Sequence, residues 1–324
     1  MAISAALSEA WLLSVVIVAG FAIGSLGLLL IGRLLGRDWV TPMDDELAPA
    51  ALTIPLVAVL AVPLAFGDFQ AWGLGDAAAA VHPRLSGWLE RDLILLRSLG
   101  YFLLWTGLAW WTAGRKDGRG RSAFGLLLLG PTAALAGVDW VLAREPFWWS
   151  TLFGFAFAVS QLPAALALAF LANTVQREHV GHAHDRSLVS ALLVLALLTL
   201  WLWFTQYLTA FMGNLPAEAA WYEARLDGSR WIPLALAAAM LGGAVLLLVQ
   251  GHRGRWAVLA ASGLILAQHL FHTVWLLRPA GTPALGFTDL LALILIGGAW
   301  GLGWLLLMRR HDAGKRQSGR SGSS

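Results

Sequence analysis

Eight side chains carry the chemistry of this chain because of where they sit. Arg97, Asp139, Gln161, Gln206, Tyr207, His269, His272 and Asp289 lie inside long apolar segments or at their edges. Hydrocarbon penalises such residues by roughly a few kcal/mol each, so they face a bundle interior or a cavity and mark functional positions. Their types suit the handling of a small molecule. Gln and Tyr can hold its oxygens, and Asp and His can accept its protons. They also suit a structural role. An Arg–Asp pair fixes helix register, and Gln or His can hydrogen-bond between helices. Arg97 can pair with Asp139 or Asp289, which share its depth.

His269 and His272 are three apart and share a helical face. A b-type haem takes axial ligands from two facing positions, and no other His falls inside an apolar segment, so haem is not expected. His179, His182, His184 and Asp185 have spacing that can bind zinc or nickel. No further ligand completes the set, so they read as a solvated loop, and no metal site is expected.

The elements that position these residues follow from composition. At 58% hydrophobic and 13% charged, the chain is neither a soluble domain nor disordered. Apolar stretches of about 20 residues at 1.5 Å each span a bilayer core, and helices satisfy their own backbone in lipid. The segments are 11–32, 50–67, 92–113, 122–143, 150–175, 187–211, 231–249, 256–277 and 287–308. The expected fold is therefore all-α: a polytopic bundle of about nine transmembrane helices, one domain over 1–308. The basic, Gly/Ser-rich tail 309–324 is expected to be an unordered cytoplasmic end. The first segment lacks a basic flank and is long enough to span, so it reads as a true helix rather than a cleaved signal. With no cysteine in the sequence, covalent c-type haem and thiolate-held iron–sulfur clusters are excluded. No nucleic-acid partner is expected.

Charge gives the threading. With the N-terminus outside, the inner loops and tail carry fifteen Lys and Arg, the outer loops six, and Arg97 remains in a helix. The positive-inside rule thus predicts N-out, C-in. The 18 Trp suit aromatic belts at the interfaces. Nearly all the polar residues then fall in the outer half, with Gln161 near mid-depth. The inner halves are expected to hold Ser, Thr and Asn173 but no titratable group away from the interface. That pattern argues against a proton wire across the whole bilayer and for a site open to the outer leaflet. Gly130-Pro131 and Pro163 predict kinks that open space between helices.

Several stretches resemble a known family. Val138-Asp139-Trp140 followed by Glu145-Pro146-Phe147-Trp148-Trp149-Ser150-Thr151-Leu152-Phe153-Gly154 resembles a D-W…P-x-W-x-S-T-x-F-G stretch. It belongs to the second large membrane subunit (the ActF type) of alternative complex III, a bacterial quinol:cytochrome c oxidoreductase within the polysulfide-reductase membrane-subunit superfamily. Arg97-Ser98-Leu99-Gly100-Tyr101-Phe102, His184-Asp185, Trp203-Phe204-Thr205-Gln206-Tyr207, Gly213-Asn214-Leu215-Pro216-Ala217-Glu218 and Val274-Trp275-Leu276-Leu277-Arg278-Pro279 resemble further motifs in the same order. Ala217 departs from the usual first acid of a P-E-E triplet, and His272 stands where Asp is common.

The resemblance implies a quinone-side or scaffold subunit in the bacterial cytoplasmic membrane. It would have no redox centre of its own and no covalent cofactor, with quinone or quinol as the bound species. Its partners would be a sister membrane subunit and subunits carrying haem c and iron–sulfur centres, with protons released at the outer face. The outer-loop residues Asn214, Pro216 and Glu218 join the candidate site through this resemblance. A different class, a secondary transporter or orphan polytopic protein, remains compatible with the kinks and with Gln161.

Overall fold

The computed structural model describes residues 5–36, 40–66, 87–113, 118–144, 148–176, 182–250, 255–278 and 285–321. His179, Pro279 and the residues 145–147 of the D-W…F-G stretch lie outside the described residues, as do Arg37, Arg84, Arg115, Lys116, Arg177 and Arg253 of the charge count. All regular structure among the described residues is helical, and nine helical stretches are long and apolar enough to cross a membrane. The chain is a multi-pass membrane protein of all-α class.

The helices are α1 (Ala5–Leu35), α2 (Asp44–Ala51), α3 (Ile54–Ala61), α4 (Arg91–Ala113), α5 (Arg119–Trp140), α6 (Phe153–Gln176), α7 (His182–Gly213), α8 (Pro216–Leu226), α9 (Trp231–Gln250), α10 (Arg255–Leu277) and α11 (Phe287–Ser321). Together α2 and α3 form the second span. α8 is a short helix between α7 and α9. α11 continues beyond its apolar span, so the backbone is helical to Ser321.

Helix α1 is the hub. It packs on α2, α3, α5, α6, α10 and α11. Its apolar residues run all round, the pattern of a helix buried on every side. Between helices in lipid the attraction comes from close packing rather than from water exclusion, so small residues let backbones approach. Gly20, Gly24 and Gly27 do this on one face of α1. A Cβ on Gly24 would lie 2.6 Å from the Gln161 carbonyl oxygen, and one on Gly27 would lie 2.9 Å from Leu162. A Cβ on Gly20 would overlap the Gln161 side-chain oxygen. α6 thus crosses α1 over a glycine stripe.

The second span departs from expectation. It runs Thr41–Ala65 rather than 50–67 and bends between α2 and α3. Asp44, Asp45 and Glu46 look like a loop by hydropathy, yet they form the first turn of α2, where the helix dipole favours acids. Two indoles of α11 clasp the span. Trp304 Nε1 donates to the Glu46 carbonyl at 2.9 Å, and Trp300 Nε1 donates to Thr53 Oγ1 at the bend at 2.8 Å. The expected kink sites Pro131 and Pro163 sit inside α5 and α6, both of which continue through them as helices. Beside Pro131, Thr132 Oγ1 donates to the Leu128 carbonyl and accepts from Trp105 Nε1 at 2.9 Å.

Candidate functional site

Asp139 ends α5, and Arg97 and Tyr101 stand one turn apart on α4. The carboxylate is fully buried and saturated. Arg97 binds it with Nε to Oδ2 at 2.9 Å and Nη2 to Oδ1 at 2.7 Å, and the Tyr101 hydroxyl donates to Oδ2 at 2.9 Å. The guanidinium also lies over the Trp88 ring at 4.2 Å. Of the two partners open to Arg97 from the sequence, the fold selects Asp139. A carboxylate held by a bidentate Arg and a phenol is fixed as an ion pair. That geometry suits structure better than proton shuttling.

Asp289 takes a different partner, Arg278 at the end of α10. It also accepts the Gly286 backbone N–H at 2.7 Å, which anchors the start of α11. Near it Arg144 binds Glu9 of α1 and the Leu277 carbonyl. Burial and the neighbouring Arg144 lower the Arg278 pKa, against an opposing pull from Glu9. This strap ties α1, α5, α10 and α11 together at one end of the bundle.

Gln161 and His269 meet deeper, beside Gly20. Gln161 Nε2 donates to the Phe157 carbonyl at 2.8 Å and to Ser160 Oγ at 3.1 Å. Those bonds turn its Oε1 toward the space that Gly20 leaves open. His269 Nε2 faces the same space, and its ring packs on Phe21 at 5.5 Å.

The cavity that gathers most of the chemistry lies one turn further along α10. It has a volume of about 340 Å³ and is lined by Trp203 and Tyr207 of α7, Trp221, Tyr222 and Leu226 of α8, Leu234 of α9, and His272 and Trp275 of α10. The His272 ring meets Trp203 edge-on at 4.4 Å and stacks on Trp275 at 6.0 Å. Trp221 stacks on Trp148 at 4.0 Å and meets Trp275 edge-on at 5.2 Å, so its wall is rigid. Gln206 lies beside the Tyr222 hydroxyl, and its Oε1 accepts from Ser150 Oγ at 2.6 Å. Burial pushes the Tyr222 hydroxyl above its ordinary pKa, so it stays protonated.

Three lining indoles, Trp203, Trp221 and Trp275, have a buried Nε1–H with no acceptor among the described residues. Buried N–H groups are almost always paired, and each orphan costs roughly 1–3 kcal/mol. All three side chains line the cavity, beside His272 and the phenols of Tyr207 and Tyr222. The volume falls in the range of small-molecule pockets.

Asn214, Pro216 and Glu218 do not line this cavity. They build it. Asn214 has φ +47°, the left-handed conformation that stops a helix, and Pro216 starts α8 at the position proline prefers. Glu218 falls in the first turn of α8, where an acid suits the dipole. Together they swing Trp221 and Tyr222 against α7 and α10.

The fold therefore divides the sequence candidates. His272 and Tyr207 line the cavity, Gln206 lies beside one of its phenols, and His269 and Gln161 sit one layer deeper. Arg97, Asp139 and Asp289 belong to ion pairs elsewhere. Trp203, Trp221, Tyr222 and Trp275 were missed by sequence reasoning. Their signal was the surplus of Trp, which reads as interfacial belt. Sequence reasoning also missed Glu46. It is buried five residues into the second span at the basic end of the bundle, and Asn173 Nδ2 donates to its Oε1 at 3.0 Å. Glu46 falls outside the span expected over 50–67 and enters it here because the span begins earlier than hydropathy implies. His182, His184 and Asp185 lie in the first turn of α7 rather than in a loop. Among the described residues no group of His, Asp and Glu could hold a metal.

No family model matches the chain, and no curated protein matches it.

Proposed function

We propose that this chain is an integral membrane subunit of a bacterial quinol oxidoreductase of the alternative complex III kind, and that its aromatic cavity receives the quinol head. One observation carries the reading: three indoles whose buried Nε1–H groups have no acceptor among the described residues line one cavity together with His272 and two phenols. Bound quinol would release electrons to a redox centre on a partner subunit and protons to the outer aqueous phase.

The chain's own part is to bind, orient and accept protons. The indole N–H groups and the Tyr222 hydroxyl donate to the ligand oxygens. Trp203, Trp221 and Trp275 supply flat apolar walls that exclude water. His272 is the nearest proton acceptor on the cavity wall, and Tyr207, 44% exposed, stands at the edge toward the surroundings. The expected setting is the cytoplasmic membrane, with the cavity toward the outer face and haem c and iron–sulfur centres on partner subunits.

The test is quinol:acceptor turnover by the intact complex carrying Trp221→Phe or His272→Leu. Trp221→Phe keeps an aromatic ring but removes the N–H and part of the indole, so quinol affinity should fall by at least about 2- to 10-fold, the worth of one hydrogen bond. His272→Leu should lower the rate with the complex still assembled. Wild-type affinity and rate in both assembled variants would make the chain a scaffold. Purification of the chain alone, without haem absorbance, would instead favour a transporter.

A further inference from the structure

A second cavity lies at the other end of the bundle, between the end of α1 and the start of α7. Its volume is about 500 Å³. Leu28, Ile31 and Leu35 form one wall, and Arg186, Ser187, Ser190, Ala191, Val194 and Leu195 form the other. Polarity is graded along it. Leu35 and Arg186 stand at the mouth, both exposed, with the Ser187 and Ser190 hydroxyls on the same wall. From there to Leu28 and Leu195 the walls are apolar for about two helical turns, roughly 10–13 Å at 1.5 Å per residue. A cation and hydroxyls at a rim, above a narrow apolar slot running into the membrane, are the mould of an amphiphile.

We infer that this groove is a binding site for an anionic phospholipid, with its phosphate at Arg186 and one acyl chain lying between α1 and α7. Charge decides the occupant. None of the lining residues is acidic. Arg186 stands in the second turn of α7, exposed at the mouth, where its charge can meet a phosphate. This end of the bundle is also the basic one, with Arg33, Arg119, Arg121, Arg309 and Arg310 at or beyond its helix ends. A neutral lipid would fill the slot equally well but would gain nothing from the guanidinium. A helix from a partner would need a wider, two-sided cleft than a slot between two helices offers. Such a lipid would brace the hub helix α1 against α7, a pair that otherwise meets mainly through α6.

The experiment uses the intact purified complex, delipidated in detergent and then loaded with phosphatidylglycerol or phosphatidylcholine of identical chains. Retained lipid is counted by native mass spectrometry. Wild-type protein is expected to retain phosphatidylglycerol in preference to phosphatidylcholine. Arg186→Gln should weaken that retention about fivefold, the worth of one basic side chain at a membrane surface, and leave phosphatidylcholine unchanged. Inorganic phosphate and glycerol phosphate should compete only weakly, since they lack the chain. A photoreactive residue at Val194 should form a lipid adduct in the wild-type background, which needs no destabilising substitution. Equal retention of both lipids, indifference to Arg186→Gln, or a protein adduct at Val194 would each overturn the assignment.

Discussion

Replacing Arg97 by Leu strands the Asp139 carboxylate. The carboxylate is wholly buried, and three of the hydrogen bonds that satisfy it come from Arg97 and Tyr101. Arg97→Leu removes two of them together with the neutralising charge and leaves one phenol. Breaking a buried pair from one side costs about 3–5 kcal/mol. Removing both ends, as Arg97→Leu/Asp139→Leu, removes the uncompensated charge with its partner and should cost much less, within about 1–2 kcal/mol of wild type. The coupling energy in a double-mutant cycle should therefore reach at least about 2 kcal/mol. Tyr101→Phe, with the pair intact, should cost about 1.5–3 kcal/mol, the worth of one hydrogen bond to a charged group. The assay is equilibrium unfolding of the chain in bicelles, with SDS as denaturant and tryptophan fluorescence as signal. Additive losses in the cycle would refute the pair as a structural lock. So would an Asp139→Asn variant that keeps full stability but loses quinol turnover, because the carboxylate would then be handling protons.

Gly24→Ala should destabilise the chain by about 1–3 kcal/mol in the same assay, since the new methyl would sit 2.6 Å from a backbone carbonyl and 2.9 Å from the Ala165 Cβ. Gly263→Ala, whose Cβ meets nothing within 4 Å, is the control and should not destabilise. A reporter fused after Arg310 should be cytoplasmic, and one inserted at the Gly228 turn should be periplasmic. The opposite result at both places would invert the bundle and turn the aromatic cavity inward.

The spans were legible because hydrocarbon imposes length and apolarity on each of them, and one rule covers all nine. The Arg97–Asp139 pair was legible because two opposite charges in lipid at one depth have few other outcomes. Glu46 was not legible. Three adjacent acids depress any hydropathy window, and what makes Glu46 tolerable is Asn173, far off in sequence. The cavity was only half legible. His272 and Tyr207 stand out as polar residues in apolar helices, whereas Trp221 and Tyr222 come from a stretch between spans with the look of a plain loop. Their use depends on the turn at Asn214 and Pro216, a local backbone device whose consequence is visible only once α8 folds back. Asp139 and Asp289 drew attention for the right physical reason, but they are tied up in ion pairs.

The central place of α1 has a consequence for how the chain is made. Its glycine stripe is matched by residues of α6 that leave the ribosome about 140 residues later, roughly 10–30 s at ordinary elongation rates. During that interval α1 must reside in the bilayer with its stripe open to lipid or to the insertion machinery. Its nearly uninterrupted apolar surface allows this, since its charges with later partners, Glu9 and Arg33, stand near its two ends. The helix that ends most enclosed is thus the one best able to wait alone. Substitutions in its stripe should reveal themselves first as newly made chains that insert normally and then fail to close.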